Sequence, residues 1–210
     1  MTQRTLVIFS RYPEAGKTKT RMIPALGAEG AAQLQKRLSE HTLKQARKFR
    51  ELTDITIKVY FAGGTEDTMA TWLGKDVSYT PQAAGDLGIK MRSAFTDNGQ
   101  EIGNSVVIIG IDCPGIDEKV LQATFDSLES HDFVLGEAAD GGYYLIGLKV
   151  GSQDEFAPSE LFSDIKWGTG EVFARTIAIA QQLNLNTKVL PVLRDMDRPE
   201  DLDLQELLEA

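Results

Sequence analysis

The stretch SVVIIGID, residues 105–112, is apolar almost without interruption until it reaches Asp112. A run of this kind is typical of a strand that is buried on both faces of a parallel sheet. Around it, strand patterns alternate with helix patterns, as in TLVIFS at 5–10 followed by helical periodicity from 28 to 51. The sequence therefore predicts an α/β fold, with a mostly parallel sheet and helices on both faces.

Two other strand patterns lie too close together for a helical crossover. DFVLGEA at 132–138 and YYLIGLKV at 143–150 are separated by only a few residues, whereas a parallel connection requires a dozen or more. One of these strands is therefore expected to be antiparallel, which makes the sheet mixed. Residues 151–170 are the least regular and are interpreted as a candidate flap. No linker or repeat interrupts the chain, so one domain over 1–210 is predicted.

Composition limits the classes of function. The 210 residues carry a net charge of −9, which argues against nucleic acid or an anionic membrane as a partner. No apolar window approaches the roughly 18 residues of a membrane span. The one cysteine, Cys113, excludes an intrachain disulfide and favours a cytoplasmic location. The two histidines are far apart, which disfavours a histidine-based zinc site, and nothing indicates an oligomeric state.

The loop after the first strand contains Gly16-Lys17-Thr18, which is the end of a phosphate-binding P-loop pattern. That pattern requires a glycine where this chain has Arg11. Pro13 also removes an N–H donor from a loop whose function is to present such donors. A P-loop ATPase or kinase is therefore not predicted.

The positive charge of this loop still points to an anionic ligand. Lys17, Lys19 and Arg21 alternate, so in an extended segment they would project to one side. They follow the carboxyl end of the first strand, where α/β sheets bind their ligands. We interpret them as cations for a polyphosphate. The alternative is a solvated basic turn.

Two aspartates at strand ends are candidate metal ligands. Asp112 ends the buried run, and Asp197 follows the last strand pattern, TKVLPVL. Magnesium and manganese take oxygen ligands and need only one or two carboxylates when a ligand supplies phosphates. The alternatives are that Asp112 forms a turn before Cys-Pro-Gly or caps a helix beginning near Asp117, and that Asp197 caps a helix beginning at Pro199.

Two further segments are candidate ligand contacts. Asp140 precedes Gly141 and Gly142, so it could orient an acceptor or act as a base, or simply form a hairpin turn. The segment GDLGIKMR at 85–92 places glycines and basic residues around a predicted helix start, which can hold an anion. A plain capped helix is the alternative there.

Taken in order, several motifs resemble those of the DUF2064 proteins. They are FSRYPEAGKTKTR (9–21), GDLGIKMRSAF (85–95), GIDCPGI (110–116), LGEAADGGYYLIGL (135–148), FSDIKWGT (162–169) and DMDRPEDL (195–202). DUF2064 proteins are GT-A-like glycosyltransferase relatives in the nucleotide-diphospho-sugar transferase superfamily, and some are described as arsenosugar-biosynthesis glycosyltransferases. The resemblance extends from about residue 5 to residue 203, nearly the whole chain.

The resemblance implies a single-domain, Rossmann-like GT-A fold and a metal-dependent enzyme. Such an enzyme would transfer a sugar from a nucleotide-diphosphate sugar to a small-molecule acceptor, with Mg²⁺ or Mn²⁺ as cofactor. A nucleotidyltransferase, similar to the phospholactate guanylyltransferases or the molybdopterin nucleotidyltransferases, is the alternative activity. A catalytically silent nucleotide-binding relative is a third possibility.

The resemblance also implies roles for individual residues. Asp140 would be catalytic, and Asp112 and Asp197 would bind the metal. The chain has Asp-Cys-Pro where the GT-A motif has Asp-x-Asp, so only one of the two carboxylates of that motif is present. The nucleotide and its phosphates would be bound by Lys17, Lys19, Arg21, Gly85, Asp86, Gly88 and Arg92. The acceptor side would be lined by Gly141, Gly142, Tyr143 and Trp167. The alternative for the two aromatic residues is that they belong to the core.

Overall fold

The computed structural model describes residues 3–99, 101–150 and 158–208. The strands are β1 (Arg4–Arg11), β2 (Ile55–Ala62), β3 (Ser78–Pro81), β4 (Ser105–Ile109), β5 (Phe133–Ala138), β6 (Tyr143–Lys149) and β7 (Thr187–Leu193). The α-helices are α1 (Ile23–Leu52), α2 (Glu66–Leu73), α3 (Leu87–Asn98), α4 (Glu118–Ser130) and α5 (Val172–Gln182). Short 3₁₀ segments cover Thr20–Met22, Ser159–Phe162 and Pro199–Leu208.

The strands form one seven-stranded sheet in the order β3-β2-β1-β4-β6-β5-β7. Strand β6 is antiparallel to both neighbours, β4 and β5, and every other pair in the sheet is parallel. This confirms the predicted mixed sheet, and the short 139–142 connection is its cause. The carboxyl ends of all the parallel strands therefore lie at one edge of the sheet, which we call the carboxyl rim.

Helices cover both faces of the sheet, as predicted. Helices α1, α2 and α4 pack on one face, around side chains that include Leu6, Phe49 and Phe125. Helices α3 and α5 pack on the other face, around side chains that include Phe95 and Ile146. All five residues of β4 are buried, as expected for a strand covered on both faces.

Local sequence signals define several element boundaries. The side chain of Asp117 accepts hydrogen bonds from the first-turn N–H groups of Lys119 and Val120, at 3.0 and 2.9 Å, and so caps α4. Gly27, with φ of 69°, interrupts the start of α1, which agrees with helical periodicity that begins at residue 28. No helix among the described residues is both long and apolar enough to cross a membrane.

Most of the candidate flap can be compared with the structure. Residues 151–157 lie outside the described residues. From Pro158 onward the chain forms the Ser159–Phe162 turn and packs on α3, because Leu161 and Phe162 are buried in the core beside Phe95. This part of the segment therefore belongs to the packed body of the fold.

Candidate functional site

Four charged side chains from distant parts of the chain meet at the carboxyl rim. Lys19 and Arg21 follow β1, Asp112 follows β4, and Asp197 follows β7. We call these four residues the charged rim. They come together because parallel strands end at the same edge of a sheet, where open α/β folds place their ligands.

Lys19 lies at the centre of the charged rim. Its Nζ is 2.8 Å from Asp112 Oδ1 and 3.6 Å from Asp197 Oδ1, and its side chain is only 4% exposed. Nζ also donates a hydrogen bond of 2.5 Å to the carbonyl oxygen of Met196. The Lys19 backbone is left-handed, with φ of 46°. The ammonium thus links the β4 and β7 ends to the first loop.

The other two basic residues of the loop behave differently. The Arg21 guanidinium pairs with Asp197 Oδ2 and remains 59% exposed. The Lys17 ammonium pairs with Glu14 of its own loop at 2.5 Å and is 67% exposed. The expectation of three cations on one side assumed an extended segment. That assumption is wrong, because turns and the Thr20–Met22 3₁₀ segment replace the regular alternation of an extended chain.

The structure also decides between capping and other roles for the rim aspartates. Helix α4 is capped by Asp117, so Asp112 is not its cap. At the last turn, Asp201 accepts hydrogen bonds from the N–H groups of Asp197 and Arg198, at 3.2 and 2.9 Å. The Asp197 carboxylate pairs with Lys19 and Arg21, and Asp201 fixes the backbone that leads into the Pro199–Leu208 segment.

Next to the charged rim, a cavity of about 300 Å³ opens beside the β5–β6 hairpin. We call it the hairpin-side cavity. Three carboxylates line it, those of Asp112, Asp140 and Asp195. Asp195 was not singled out as a site residue, because it stands beside Asp197 in a segment that resembles an ordinary helix start. Burial, followed by the nearby negative charge of Asp140, raises the pKa of the Asp195 carboxyl.

The opposite side of this cavity is formed by packed rings. The rings of Tyr143 and Trp167 meet edge to face with centroids 6.5 Å apart, and the Tyr143 hydroxyl lies 3.5 Å from the sulfur of Met91. We call Tyr143 and Trp167, together with the Met91 side chain in contact with Tyr143, the aromatic wall. Burial raises the pKa of the Tyr143 hydroxyl well above its usual range, so this group stays protonated. Both aromatic residues line the cavity while their rings pack against the core of one face.

Gly88 supports the aromatic wall from behind. A β-carbon at this position would overlap the carbonyl oxygen of Phe162 and lie 2.8 Å from Cζ2 of Trp167. The predicted nucleotide contact at Gly88 is therefore a close-packing position between α3 and the 158–169 segment. Gly88 fixes the Trp167 ring. It lines neither the hairpin-side cavity nor a second cavity over the ends of β1 and β4.

Asp140 occupies the turn of the β5–β6 hairpin. Its Oδ1 accepts a hydrogen bond of 2.8 Å from the Gly142 N–H, so it forms the expected turn while its carboxylate remains exposed and lines the cavity. Gly141 has φ of 86°, and a β-carbon there would overlap the carbonyl of Gly170. Packing of the hairpin against the start of α5 thus holds Asp140 at the cavity mouth.

A second cavity, of about 360 Å³, extends from the first over the ends of β1 and β4, and we call it the β1-side cavity. The two cavities adjoin, because they share lining residues that include Asp112 and Tyr143, and we refer to them together as one groove. Polar side chains in the second cavity include Gln82, whose Nε2 donates to the Tyr60 carbonyl at 3.1 Å, and the buried Gln35, which donates to the Arg11 carbonyl at 3.1 Å.

The remaining predicted nucleotide contacts, Gly85, Asp86 and Arg92, line neither of the two cavities. The Asp86 side chain caps α3, because its Oδ1 accepts from the Ile89 N–H at 2.9 Å. Gly85 has φ of 126° and borders an open recess together with Lys90, which also lines the β1-side cavity. Arg92 is on the exposed side of α3 and lines neither cavity.

The donor atoms of the site suit a hard divalent cation only when a ligand completes the coordination. No group of three or more His, Cys, Asp or Glu side chains within residues 3–99, 101–150 and 158–208 is arranged to hold a metal ion. Magnesium, however, commonly takes one or two carboxylates and obtains its other ligands from phosphates and water. The Asp112 side chain is 50% exposed at the cavity, and the Asp197 carboxylate is next to it across Lys19. These two residues fit a metal that arrives with phosphates.

Burial disfavours the reactive, ionised form of the thiol in this region. Cys113 lines the hairpin-side cavity but is only 3% exposed. Burial and the nearby carboxylates of Asp195 and Asp112 raise the pKa of the thiol well above its usual range. A thiolate is the reactive form of cysteine, so the chemistry of this site falls to its carboxylates and cations.

Comparison with solved structures identifies relatives over the whole fold. A crystal structure from Desulfovibrio desulfuricans G20, provisionally assigned as a nucleotide-diphospho-sugar transferase, is 28% identical, with 98% of this chain and 87% of that chain covered and a TM-score of 0.86. Rv0371c from Mycobacterium tuberculosis H37Rv, in complex with manganese, is 18% identical, with 100% and 99% covered and a TM-score of 0.55. CMP:2-keto-3-deoxy-manno-octonic acid synthetase complexed with CTP is 9% identical, with 99% and 98% covered and a TM-score of 0.60. The last two likenesses are evidence of the fold alone.

Sequence comparison gives the family. No curated protein matches this chain. A family model described as "Uncharacterized protein conserved in bacteria (DUF2064)" matches residues 42–169, a span that includes α3, the Asp112 loop, the hairpin and Trp167. The chain therefore belongs to the DUF2064 family and has the single-domain α/β fold of the nucleotide-diphospho-sugar transferases.

Proposed function

We propose that this protein is a glycosyltransferase that moves a sugar from a nucleotide-diphosphate sugar to a small acceptor. The observation that carries the proposal is the charged rim, in which cations and carboxylates from three strand ends meet around Lys19, next to Asp112, one of the residues that line both cavities. This arrangement suits a ligand with a diphosphate at its centre and a different chemical group at each end.

In this proposal the β1-side cavity takes the nucleoside, and the charged rim takes the diphosphate. Lys19 and Arg21 would face the phosphates and stabilise the negative charge that grows on the departing nucleoside diphosphate. A divalent ion, Mg²⁺ or Mn²⁺, would be held by Asp112, Asp197 and the phosphates, and would supply Lewis-acid stabilisation to the same leaving group. The Gly85–Gly88 segment would border the nucleoside, and Lys17 and Arg92 would be outer contacts for it.

The hairpin-side cavity takes the sugar and the acceptor. Aromatic rings suit the apolar face of a sugar, and Tyr143 and Trp167 supply them beside Gly141 and Gly142. The acceptor oxygen forms a bond to the anomeric carbon, the bond from that carbon to the diphosphate breaks, and the acceptor proton passes to Asp140. Asp140 is proposed as the base because it is exposed and lines this cavity.

The alternative activity is nucleotidyl transfer, in which a nucleoside triphosphate reacts with an acceptor and releases pyrophosphate. A synthetase complexed with CTP shares the fold, which supports this alternative. The first loop is evidence against it, because Gly16 is the only glycine between Arg11 and Arg21 and the loop has no glycine-rich cradle for a triphosphate.

A thermal-shift panel tests the proposal. UDP, GDP, CDP, ADP, GTP and CTP are each added with and without Mn²⁺, and a specific ligand at a hundredfold excess over its Kd should add about 2.7 kcal/mol of stability. We expect a nucleoside diphosphate with Mn²⁺ to give the largest shift. The Asp112→Ala variant should lose the metal-dependent part of that shift. If this variant keeps the full shift, the metal assignment is wrong.

Product analysis then separates the activities. Release of a nucleoside diphosphate from a nucleotide sugar supports glycosyl transfer, whereas release of pyrophosphate from a triphosphate supports the alternative. Metal-dependent nucleotide binding without turnover of any donor would instead indicate a silent relative. Absence of any nucleotide-dependent shift would contradict all three.

A further inference from the structure

The two carboxylates proposed as metal ligands are already neutralised by cations of the protein itself. Lys19 Nζ bridges Asp112 and Asp197 at 2.8 and 3.6 Å, and Arg21 holds the other oxygen of Asp197. We propose that Lys19 keeps a divalent cation off these carboxylates until an anionic ligand takes over its ammonium. The inference rests on the proposed function, and it makes binding of the metal and of the diphosphate mutually dependent.

Burial makes Lys19 the decisive cation. Its side chain is 4% exposed, so water screens its ammonium poorly, and a metal approaching both carboxylates would meet this positive charge at close range. Arg21 is 59% exposed, so its charge is screened and its pair with Asp197 is weaker in effect. The Lys19 ammonium also donates a hydrogen bond to the Met196 carbonyl oxygen, and this bond fixes the ammonium between the two strand ends.

The pairing of charges explains the mutual dependence. In the structure, Lys19 pairs with Asp112 and Asp197, and Arg21 pairs with Asp197. A divalent cation that takes the two carboxylates alone leaves the buried Lys19 ammonium without a carboxylate partner, and a diphosphate that takes Lys19 alone leaves the two carboxylates without this cation. When both bind, the lysine and arginine can pair with phosphate oxygens while the aspartates face the metal, and every charged group has a partner. Each ligand then raises the affinity for the other by the same factor.

Direct measurement of Mn²⁺ binding in the absence of any nucleotide tests this role of Lys19. Free Mn²⁺ is followed by electron paramagnetic resonance during titration of the wild type and of Lys19→Met. We expect weak binding by the wild type and at least about tenfold tighter binding by the variant, a factor within the usual range of coupling between two ligands. Mn²⁺ alone should also raise the melting temperature of Lys19→Met but not that of the wild type.

Three further variants make the result specific. Lys36→Met removes the same charge from an exposed pair with Glu40 on α1, far along the chain from the rim, and should leave Mn²⁺ affinity unchanged. Adding Asp112→Asn to Lys19→Met should abolish the gained affinity. Lys19→Gln keeps a hydrogen-bond donor near the Met196 carbonyl and replaces the methionine variant if that variant does not fold.

The outcomes separate this inference from the proposed function. A folded Lys19 variant that binds Mn²⁺ no more tightly than the wild type overturns the inference, and so does an equal gain in Lys36→Met. Neither result affects glycosyl transfer, which is judged by the nucleotide panel and by product release. Conversely, a gain of Mn²⁺ affinity in Lys19→Met supports the inference even when no nucleotide sugar is turned over, because the titration contains no nucleotide.

Discussion

The charged rim and the aromatic wall enclose the same groove but are stabilised by different forces. The rim consists of ion pairs between segments far apart in sequence, such as Lys19 with Asp112 and Arg21 with Asp197. The wall consists of rings in contact, Tyr143 against Trp167, with Gly88 behind them. An ion pair can be replaced by a pair with a charged ligand, whereas a close-packed ring contact has no such substitute.

This difference indicates how the two regions divide their tasks. Ion pairs at a partly solvated rim contribute little net stability, because desolvation and side-chain entropy offset the attraction. Packing in a dense interior responds to changes of a single methyl group. We therefore expect substitutions in the wall to change the free energy of unfolding, and substitutions in the rim to change ligand binding.

The largest effect on stability is expected for Gly88→Ala. The added methyl group would overlap the Phe162 carbonyl and the Trp167 ring, so the segment must move away from α3. Overpacking of this kind costs about 1–3 kcal/mol, measurable by urea unfolding. Gly110→Ala is the control, since a β-carbon there meets no atom within 4 Å. Equal unfolding free energies for the two variants would refute the packing role of Gly88.

A smaller effect on stability is expected for Arg21→Gln. The Arg21 side chain, which pairs with Asp197, is 59% exposed. Its loss should therefore lower the free energy of unfolding by less than about 1 kcal/mol. Binding of a nucleoside diphosphate should nevertheless weaken, because a phosphate contact is lost. Calorimetric titration and urea unfolding of the same samples test both statements. A large loss of stability with unchanged binding would reverse the division of tasks.

The smallest effect is expected for Asp195→Asn, and it should depend on pH. Burial and Asp140 raise the pKa of the folded Asp195 carboxyl, so the fold favours its protonated form. The ionised form therefore costs stability, and this cost appears as pH rises from the unfolded pKa through the folded one. We expect the variant to be more stable than the wild type at neutral pH and equal to it at acidic pH. Melting curves of both proteins from pH 3 to 8 test this expectation. A variant that gains stability at acidic pH but not at neutral pH would contradict the assignment.

The sequence predicted the elements of the fold because their patterns are local. The continuous apolar run of β4 required burial on both faces, and the short DGG connection required an antiparallel β6. The helix starts were marked by residues such as Asp86 and Asp117, which cap α3 and α4. What local patterns could not give was the order of strands across the sheet, since that order depends on how distant segments pack.

The site was predicted only in part, for the same reason. The sequence placed Lys19, Arg21, Asp112 and Asp197 after predicted strands, and the shared direction of β1, β4 and β7 brings them to one edge of the sheet. Asp140 was proposed because it precedes Gly141 and Gly142. The role of Asp195 was missed because its distinguishing feature, burial beside Asp140, does not exist in the linear chain. The sequence did contain one signal, since Asp195 comes shortly after the end of β7 at Leu193, as Asp112 comes shortly after the end of β4 at Ile109.

Lys17 and Lys19 show which properties the sequence determines and which the tertiary structure determines. The sequence by itself determined that a basic loop follows β1 in an acidic protein, because charge is a property of residue type. Only the tertiary structure decided that Lys17 turns to Glu14 in solvent while Lys19 is buried against Asp112 and Asp197. The physical reason is that an ammonium is buried only where oxygens from distant strand ends are already assembled, and that assembly is a product of the whole fold.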